Sequence, residues 1–184
     1  KTRIELEFAA KDRIILNVGA IVERKNIHLI VEALKYLPPN YKLMLMGSGD
    51  SAYIGRINGI VTDNNMKNRV IMVGYTPYPQ VPIAYQAADL FVLPSDFEGL
   101  PKVVTESLAC GTPVLASGFK MEEDIEGIEY FEKLEVQYIA EKIKDMIINP
   151  RQVDRFKVLK TCSWDTKAQE VEQVYKYVKE NHLK

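Results

Sequence analysis

Short apolar runs that close on glycine or proline alternate with amphipathic stretches through most of the chain. A continuous apolar run of about 4–8 residues is typical of a strand that is buried on both faces of a sheet. Such runs predict strands at 13–19, 41–47, 69–74, 89–94, 113–116 and 128–131.

The stretches between these runs carry apolar residues at helical spacing, and the clearest example places Ile27, Ile30 and Val31 on one face. Helices are predicted at 26–37, 51–65, 81–88, 103–110, 136–148, 151–159 and 166–182. Strands that alternate with helices about every 20–25 residues predict parallel βαβ units. The expected fold class is α/β, with a doubly wound, mostly parallel, Rossmann-like sheet of about six strands flanked by helices.

The charge balance excludes capture of a ligand by a broad electrostatic field. The 24 Lys and Arg residues nearly cancel the 25 Asp and Glu residues, which leaves a formal net charge of -1. Proteins that bind nucleic acid through its phosphates need a basic surface, so no nucleic-acid partner is expected. No apolar run reaches the ~18–20 residues that span a bilayer. An anionic ligand must therefore be held by local geometry.

Cysteine and histidine are too sparse for several common kinds of active site. Cys110 and Cys162 lack metal-ligand spacing, so no metal site is predicted. With no secretory leader in the sequence given, a reduced, cytoplasmic setting is expected. The two histidines are His28 and His182, and neither accompanies a nucleophile elbow. We interpret His28 as a helix surface residue.

The apolar runs end at one predicted edge of the sheet, where ligands of doubly wound folds bind. Four of them close on Gly19, Gly47, Gly74 and Pro94. Glycine there lets a ligand approach the backbone, although glycine is also common in any loop between a strand and a helix. The turn that begins at Gly47 is a weak signal, because neither a full G-x-G-x-x-G pattern nor a P-loop is present.

The densest candidate segment runs from Ser95 to Val114, SDFEGLPKVVTESLACGTPV. Pro101 is predicted to open a helix, whose free N–H groups and dipole form an anion site. Glu98 lies before this helix and Glu106 within it, and a carboxylate can accept hydrogen bonds from two hydroxyls of a sugar or ribose. The alternative is that both are ordinary solvated acids.

A second candidate is the loop after the first strand, where Arg24 and Lys25 precede a helix. Two cations beside free N–H groups could neutralise a diphosphate as it departs. The alternative is that both residues are surface charges.

Together these pieces resemble the C-terminal, donor-binding half of a family-four retaining glycosyltransferase with the GT-B fold. The matching segments, in the order of the family, are VGAIVERKNIHLIVEAL (18–34), LMLMGSGD (43–50), RVIMVGYTP (69–77), AYQAADLFVLPSDFEGLPKVVTESLACGTPVLAS (84–117) and SWDTKAQEVEQVYKYV (163–178). The segment with Glu98 and Glu106 is the most specific. The resemblance implies three parts: an interdomain connection at 1–12, a nucleotide-sugar-binding domain at 13–163, and a C-terminal helix at 164–184.

The resemblance also implies roles for individual residues. Lys25 and Glu98 are the expected catalytic residues, with Lys25 on the donor diphosphate and Glu98 near the donor sugar. Glu106 is expected to bind the ribose hydroxyls. The other predicted donor-binding residues are Gly19 and Arg24 at the diphosphate loop, Gly47, Tyr75 at the base, and the main chain of Gly99, Leu100 and Pro101.

Three positions depart from the family pattern. Ala20 stands where many members have an arginine, and Arg24 is the candidate to replace it. Asn26 stands where glycine is frequent. The Gly-Gly pair and glutamate that often follow the fifth strand are replaced by Gly118, Phe119 and Lys120.

The function that the resemblance implies is transfer of a sugar from a UDP- or GDP-sugar to a glycan, lipid-linked or small-molecule acceptor, with retention of configuration. No metal or other cofactor is expected, and a hexosyl group such as mannosyl or glucosyl is favoured. The chain alone is expected to be inactive, because the acceptor site would belong to its own N-terminal domain. The expected location is cytoplasmic, with peripheral attachment to the cytoplasmic face of a membrane through the other half as an alternative.

Other functions stay open. A non-enzymatic nucleotide-binding module, or a subunit with a separate partner, would share most of these features. A GT-B epimerase or phosphorylase is less favoured, because those enzymes use different donor-loop residues. The last helix carries an apolar stripe that packs either on its own sheet or, as in relatives, on the other domain. The stripe consists of Ala168, Val171, Val174, Tyr175 and Val178.

Overall fold

The computed structural model describes residues 8–122 and 125–182, which form one parallel sheet of six strands with helices on both faces. The strands are β1 (Arg13–Val18), β2 (Tyr41–Met46), β3 (Val70–Gly74), β4 (Leu90–Pro94), β5 (Val114–Ser117) and β6 (Ile128–Tyr130). Their order is β3-β2-β1-β4-β5-β6, and all five neighbouring pairs are parallel. The predicted doubly wound α/β class is therefore confirmed.

The central strands are apolar throughout because both of their faces are covered. In β1, Ile15 packs into the core on one side of the sheet, whereas Ile14 and Leu16 pack into the core on the other. Adjacent residues of a strand point to opposite faces, so a strand covered on both sides needs a continuous apolar run rather than an alternating one.

The described part of the chain has seven α-helices, of which the first six cover the two faces of the sheet. They are α1 (Ile27–Ala33), α2 (Ser51–Asp63), α3 (Val81–Ala87), α4 (Lys102–Ala109), α5 (Val136–Ile148), α6 (Arg155–Cys162) and α7 (Trp164–His182). Buried residues of α1, α2 and α5 join the first core, and those of α3, α4 and α6 join the second.

The largest differences from the predicted helix boundaries are in α1 and α6. The first helix ends at Ala33 and continues as a 3-10 turn over Leu34–Tyr36, just before the two prolines that follow Leu37. The helix predicted at 151–159 begins instead at Arg155, because the Asp154 carboxylate accepts a hydrogen bond from the Lys157 N–H at 3.0 Å and caps the helix there.

The sheet reverses its winding direction between β1 and β4. After β1 the chain crosses to β2 on one side, and after β4 it crosses to β5 on the other. The two loops at the carboxyl ends of these neighbouring strands therefore separate and leave a crevice, which is the usual ligand position in such sheets. Both candidate loops of the sequence, those with Lys25 and with Glu98, lie at this point.

The apolar stripe of α7 does not pack on the sheet. Val171, Val174, Tyr175 and Val178 are all exposed, and Ala168 is exposed beside them. The alternative in which this stripe covers its own sheet is therefore wrong for the described chain.

The predicted interdomain connection at 1–12 falls mainly outside the described residues. Within the described part, Phe8 is buried against the second core, and the Ala9 N–H donates to the Asp12 carboxylate at 3.0 Å. The division of the chain into three parts stays a prediction. In residues 8–122 and 125–182, no helix combines the length and apolar character needed to cross a membrane.

Candidate functional site

The loop after β1 folds the side chain of Lys25 back over Gly19. A Cβ atom on Gly19, whose φ is +133°, would lie 2.8 Å from the Lys25 Nζ atom. Lys25 is only 7% exposed. Burial lowers the pKa of Lys25, and the nearby Glu98 carboxylate opposes that shift. The interpretation of Lys25 as a surface charge is therefore wrong.

The ends of β1 and β2 touch backbone to backbone. A Cβ atom on Gly47, whose φ is +140°, would lie 1.9 Å from the carbonyl oxygen of Gly19. The Gly19 N–H donates to the Met46 carbonyl at 2.9 Å, and the Gly47 N–H donates to the Gly74 carbonyl at 2.8 Å. Gly47 is thus required for loop packing, while its contact with a donor stays a prediction.

Glu98 is held from three directions at the end of the β4 loop. Its Oε1 atom accepts a hydrogen bond from the Ser95 hydroxyl at 2.8 Å. The same oxygen lies 3.1 Å from Arg24 Nη1 and 3.8 Å from Lys25 Nζ. The Glu98 side chain is 11% exposed, and its N–H donates to the Gly118 carbonyl at 2.8 Å. Glu98 is thus an anchored acid rather than a freely solvated one.

Arg24 joins the loop after β1 to the loop after β4. Its Nη1 atom donates to the Phe97 carbonyl oxygen at 2.7 Å and lies beside Glu98. The main-chain carbonyl of Arg24 accepts from the Asp96 N–H at 2.9 Å. The Arg24 side chain is 52% exposed, so it can still meet a ligand. Its predicted role at the diphosphate stays a prediction.

The conformation of Asn26 explains why asparagine can stand where the family often has glycine. Its φ is +48°, in the left-handed region that glycine and asparagine tolerate best. The Asn26 amide then donates to the Pro94 carbonyl at 3.1 Å and to the Asp96 carboxylate at 2.6 Å. Asparagine therefore keeps the turn that glycine would allow and adds two bonds to the β4 loop.

The start of α4 leaves backbone donors near Glu98. Pro101 precedes the helix in an extended conformation and makes no side-chain cap. The first N–H groups of a helix have no intrahelical partner, and the helix dipole favours an anion beside them. Gly99 and Leu100 are exposed just before this helix. Two of the three residues predicted to meet the donor are therefore accessible, whereas Pro101 is buried.

The Glu106 carboxylate is held by two tyrosine hydroxyls. Tyr78 donates to Oε1 at 3.2 Å, and Tyr85 donates to Oε2 at 3.1 Å. The Glu106 carboxylate is the main cause that raises the pKa of Tyr78, whereas burial followed by Glu106 raises the pKa of Tyr85. Both hydroxyls therefore stay protonated and act as donors. The interpretation of Glu106 as an ordinary surface acid does not fit this arrangement.

A cavity of about 840 Å³ adjoins Glu106 and the start of α4. It is lined by Tyr78, Gly99, Leu100, Lys102, Thr105, Glu106, Lys120, Met121, Glu122, Cys162, Trp164 and Lys167. Three predicted donor-binding residues are in this lining: Gly99, Leu100 and Glu106. Lys25 and Glu98 are not in it. Tyr75, at the end of β3, is 79% exposed and also lies outside the lining.

Sequence reasoning missed three residues of this region. Ser95 directly follows β4 and bonds Glu98 three residues later, a local spacing that could have identified it. Tyr78 and Tyr85 precede Glu106 by a strand and a loop, so no local pattern connects them to it. Their hydroxyls reach the carboxylate only because α3 and the turn before it pack beside α4.

His28 lies on a helix as predicted, but it is only partly exposed. It is half-buried on α1, its N–H donates to the Tyr53 hydroxyl at 3.1 Å, and its Nδ1 atom lies 2.8 Å from the same oxygen. Burial lowers the pKa of His28. In residues 8–122 and 125–182, no group of three or more histidine, cysteine or acidic side chains has metal-binding geometry.

Comparison with known proteins matches the chain to one family. The model of the family described as "Glycosyl transferases group 1" matches residues 1–158. A lipopolysaccharide core biosynthesis glycosyltransferase, LpsE of Rhizobium meliloti, is 34% identical over 115 residues, which are 62% of this chain and 32% of that protein.

Solved structures share the fold. Sucrose-phosphate synthase from Thermosynechococcus elongatus superposes with a TM-score of 0.83 and 28% identity, over 96% of this chain and 48% of that one. HepE of Anabaena, in complex with UDP and glucose, superposes with a TM-score of 0.71 and 25% identity, over 79% of this chain and 41% of that one. This chain spans less than half the length of each of the three proteins.

Proposed function

The chain belongs to the group 1 family of glycosyl transferases, and on that premise we propose that it binds the nucleotide-sugar donor of a retaining glycosyltransferase. The donor is a UDP- or GDP-sugar with a hexosyl group. The chain supplies the donor half of the enzyme, and the remaining half supplies the acceptor site. By itself the chain binds donor without transferring sugar.

One observation supports the donor site above the others: a buried lysine and an anchored glutamate meet at the switch point of the sheet. Lys25 Nζ lies 3.8 Å from Glu98 Oε1, beside the open start of α4. A diphosphate is an anion that helix starts and lysine bind well, and a sugar offers hydroxyl donors to a carboxylate. The HepE structure, which is a complex with UDP and glucose, is consistent with this assignment.

The leaving diphosphate gains negative charge as the glycosidic bond breaks. Two kinds of group can stabilise that negative charge. One is the pair of cations Lys25 and Arg24, and the other is the set of backbone N–H groups of Gly99, Leu100 and Lys102. Groups that are held in place before the reaction stabilise developing charge most effectively. Glu98 orients the sugar. We propose that these residues stabilise the charge and that the reaction needs no metal ion.

The exposed stripe of α7 supports a second domain. Val171, Val174, Tyr175 and Val178 would leave water if α7 packed on the remaining half of the enzyme. Burying one such side chain contributes about 1.5–3 kcal/mol. We propose that the C-terminal helix, which is predicted to begin at residue 164, makes this contact with the remaining half. A cytoplasmic location, with any membrane attachment through the other half, completes the proposal.

The acceptor is proposed from the relatives. LpsE is described as acting in lipopolysaccharide core biosynthesis. A glycan or lipid-linked acceptor of the cell envelope is therefore favoured over a small molecule.

The test is binding of UDP, GDP, UDP-glucose and GDP-mannose to the chain, by calorimetry in the presence of EDTA. We expect either the two uridine ligands or the two guanosine ligands to bind, and we expect Glu106→Ala to lower the affinity of those that bind. Glu172→Ala is the matched control, because Glu172 pairs with Lys176 on α7 and is not among the residues that line the cavity. Absence of binding in EDTA that magnesium restores would contradict the metal-free proposal. Absence of binding in both would contradict the donor site.

A second experiment separates an enzyme from a binding module. The whole protein should transfer labelled sugar to an envelope glycan, and Lys25→Met should abolish that transfer. A whole protein that binds donor and transfers nothing to any acceptor class would favour the non-enzymatic alternative.

A further inference from the structure

Glu106 keeps part of its hydrogen-bonding capacity unused. An ionised carboxylate has about four lone-pair positions, two on each oxygen. Tyr78 occupies one on Oε1 and Tyr85 occupies one on Oε2. In the described part of the chain, no other recorded hydrogen bond reaches this carboxylate. One position therefore remains on each oxygen, in a side chain that lines the cavity.

Tyr85 is a rigid partner for this carboxylate. The residue is 1% exposed, and its ring packs against Phe91 of β4 with centroids 5.7 Å apart. The Thr112 hydroxyl donates to its backbone carbonyl at 2.5 Å, which fixes the end of α3 against the loop after α4. These contacts hold the Tyr85 ring and backbone in place, so its hydroxyl is a fixed donor that restrains the orientation of the Glu106 carboxylate.

Tyr78 is the exposed counterpart. It lines the cavity and is 69% exposed, in the 3-10 turn Tyr78–Gln80 before α3. The two tyrosines thus restrain the carboxylate from a fixed side and from an open side. Two remaining acceptor positions, one on each oxygen, match the two hydroxyl donors of a vicinal diol.

We propose that Tyr85, assisted by Tyr78, is a positioning residue that orients the Glu106 carboxylate to accept both hydroxyls of a ribose 2′,3′-diol. This rests on the proposed donor function and deepens it, because it assigns the selection of ribonucleotides over deoxyribonucleotides to a buried tyrosine outside the donor-binding loops. The competing explanation is that Tyr85 is a core residue whose hydroxyl bonds the nearest acid.

The test is a comparison of ribose and deoxyribose ligands in Tyr85→Phe. The probes are UDP, GDP and their 2′-deoxy counterparts, titrated by calorimetry into the unmodified chain and the variant. Loss of one hydrogen bond of about 0.5–1.5 kcal/mol corresponds to roughly 2- to 12-fold. We expect Tyr85→Phe to lose about that factor for the ribonucleotide and to lose less for the 2′-deoxy ligand, which keeps only one of the two hydroxyls. Tyr78→Phe should show the same selectivity with a smaller loss.

Tyr53→Phe is the matched control for lost stability. Tyr53 is also buried, and its hydroxyl bonds His28 on the other face of the sheet. It should lower the melting temperature and leave the ratio of ribose to deoxyribose affinity unchanged.

Two results would overturn the inference while leaving the donor site intact. One is an equal loss for ribose and deoxyribose ligands in Tyr85→Phe, which a structural role predicts. The other is no loss for either ligand. If the unmodified chain binds none of the four nucleotides, the proposed function itself fails, and the inference fails with it.

Discussion

Glu98 and Glu106 lie on either side of the start of α4, and their surroundings differ in charge. Glu98 meets two cations and a serine hydroxyl, all at the same oxygen. Glu106 meets two neutral hydroxyls, one on each oxygen. Two cations lie beside the Glu98 carboxylate, whereas in the described part of the chain no ion pair joins the Glu106 carboxylate to a cation. Similar acids eight positions apart are therefore prepared for different parts of a ligand.

This difference suggests a division of labour. A diphosphate must compete with Glu98 for Lys25 and Arg24, so the region around Glu98 is sensitive to charge. Neutral ribose hydroxyls displace no cation at Glu106, so that region is sensitive to geometry. A substitution in one region should leave the other region as its reference.

The largest effect is expected from Lys25→Met. It removes the buried ammonium while keeping much of the side-chain volume over Gly19. Loss of a charge-assisted contact of about 1.5–3 kcal/mol predicts roughly a 10- to 150-fold loss of nucleoside diphosphate affinity by calorimetry. Nucleoside affinity should not change. Lys42→Met is the control, since Lys42 bonds the Asn68 carbonyl on the outer part of the sheet. An equal loss for nucleoside and diphosphate would contradict the assignment.

Next in size are the paired substitutions Glu106→Gln and Glu98→Gln. Removing the charge at Glu106 should weaken ribonucleotide binding about 10-fold, because hydrogen bonds to charged groups contribute about 1.5–3 kcal/mol. Glu98→Gln should leave free UDP or GDP affinity equal or higher, because it releases Lys25. It should lower sugar transfer by the whole protein. If both variants lost UDP affinity equally, the proposed division between the two acids would be wrong.

A smaller effect is expected from pH. Burial lowers the pKa of Lys25 from its ordinary value of 10.5, so its ammonium is lost at a lower pH than that of an exposed lysine. Diphosphate affinity should therefore fall as the pH rises through this lowered pKa. In Lys25→Met the residual affinity should be flat over the same range, measured by titration at a series of pH values. A decline that persists in the variant would assign the titration to another group.

The smallest effect is expected from Arg24→Gln. The Arg24 side chain is half exposed, and exposed ion pairs contribute about 0–1 kcal/mol. Diphosphate affinity should fall by no more than about 5-fold, and added salt should reduce the difference between variant and parent. A loss as large as that of Lys25→Met would mean that Arg24 is a main phosphate ligand and that it replaces the arginine missing at Ala20.

Most of the fold was predictable because its signals are local. Strands buried on both faces must be apolar throughout, so each run in the sequence matched a strand to within about one residue. The errors arose where a side chain decided a boundary. Asp154 caps α6 and moves its start, and the composition of 151–159 gave no reason to prefer that acid over the residues around it.

The candidate site was predictable in part. Its loops follow β1 and β4, and parallel strands place such loops at one edge of a sheet. The meeting of Lys25 with Glu98 follows from adjacent strands that are far apart in sequence. The exposed face of α7 could not be assigned, because an amphipathic pattern identifies an apolar face without identifying what covers it.

The sequence by itself determined the class of fold, the edge of the sheet that carries the site, and the family to which the chain belongs, because strand burial and loop motifs are written in neighbouring residues. Only the tertiary structure decided which partners hold each acid. The cations at Glu98 and the hydroxyls of Tyr78 and Tyr85 at Glu106 come from separate elements, and packing of those elements sets their distances.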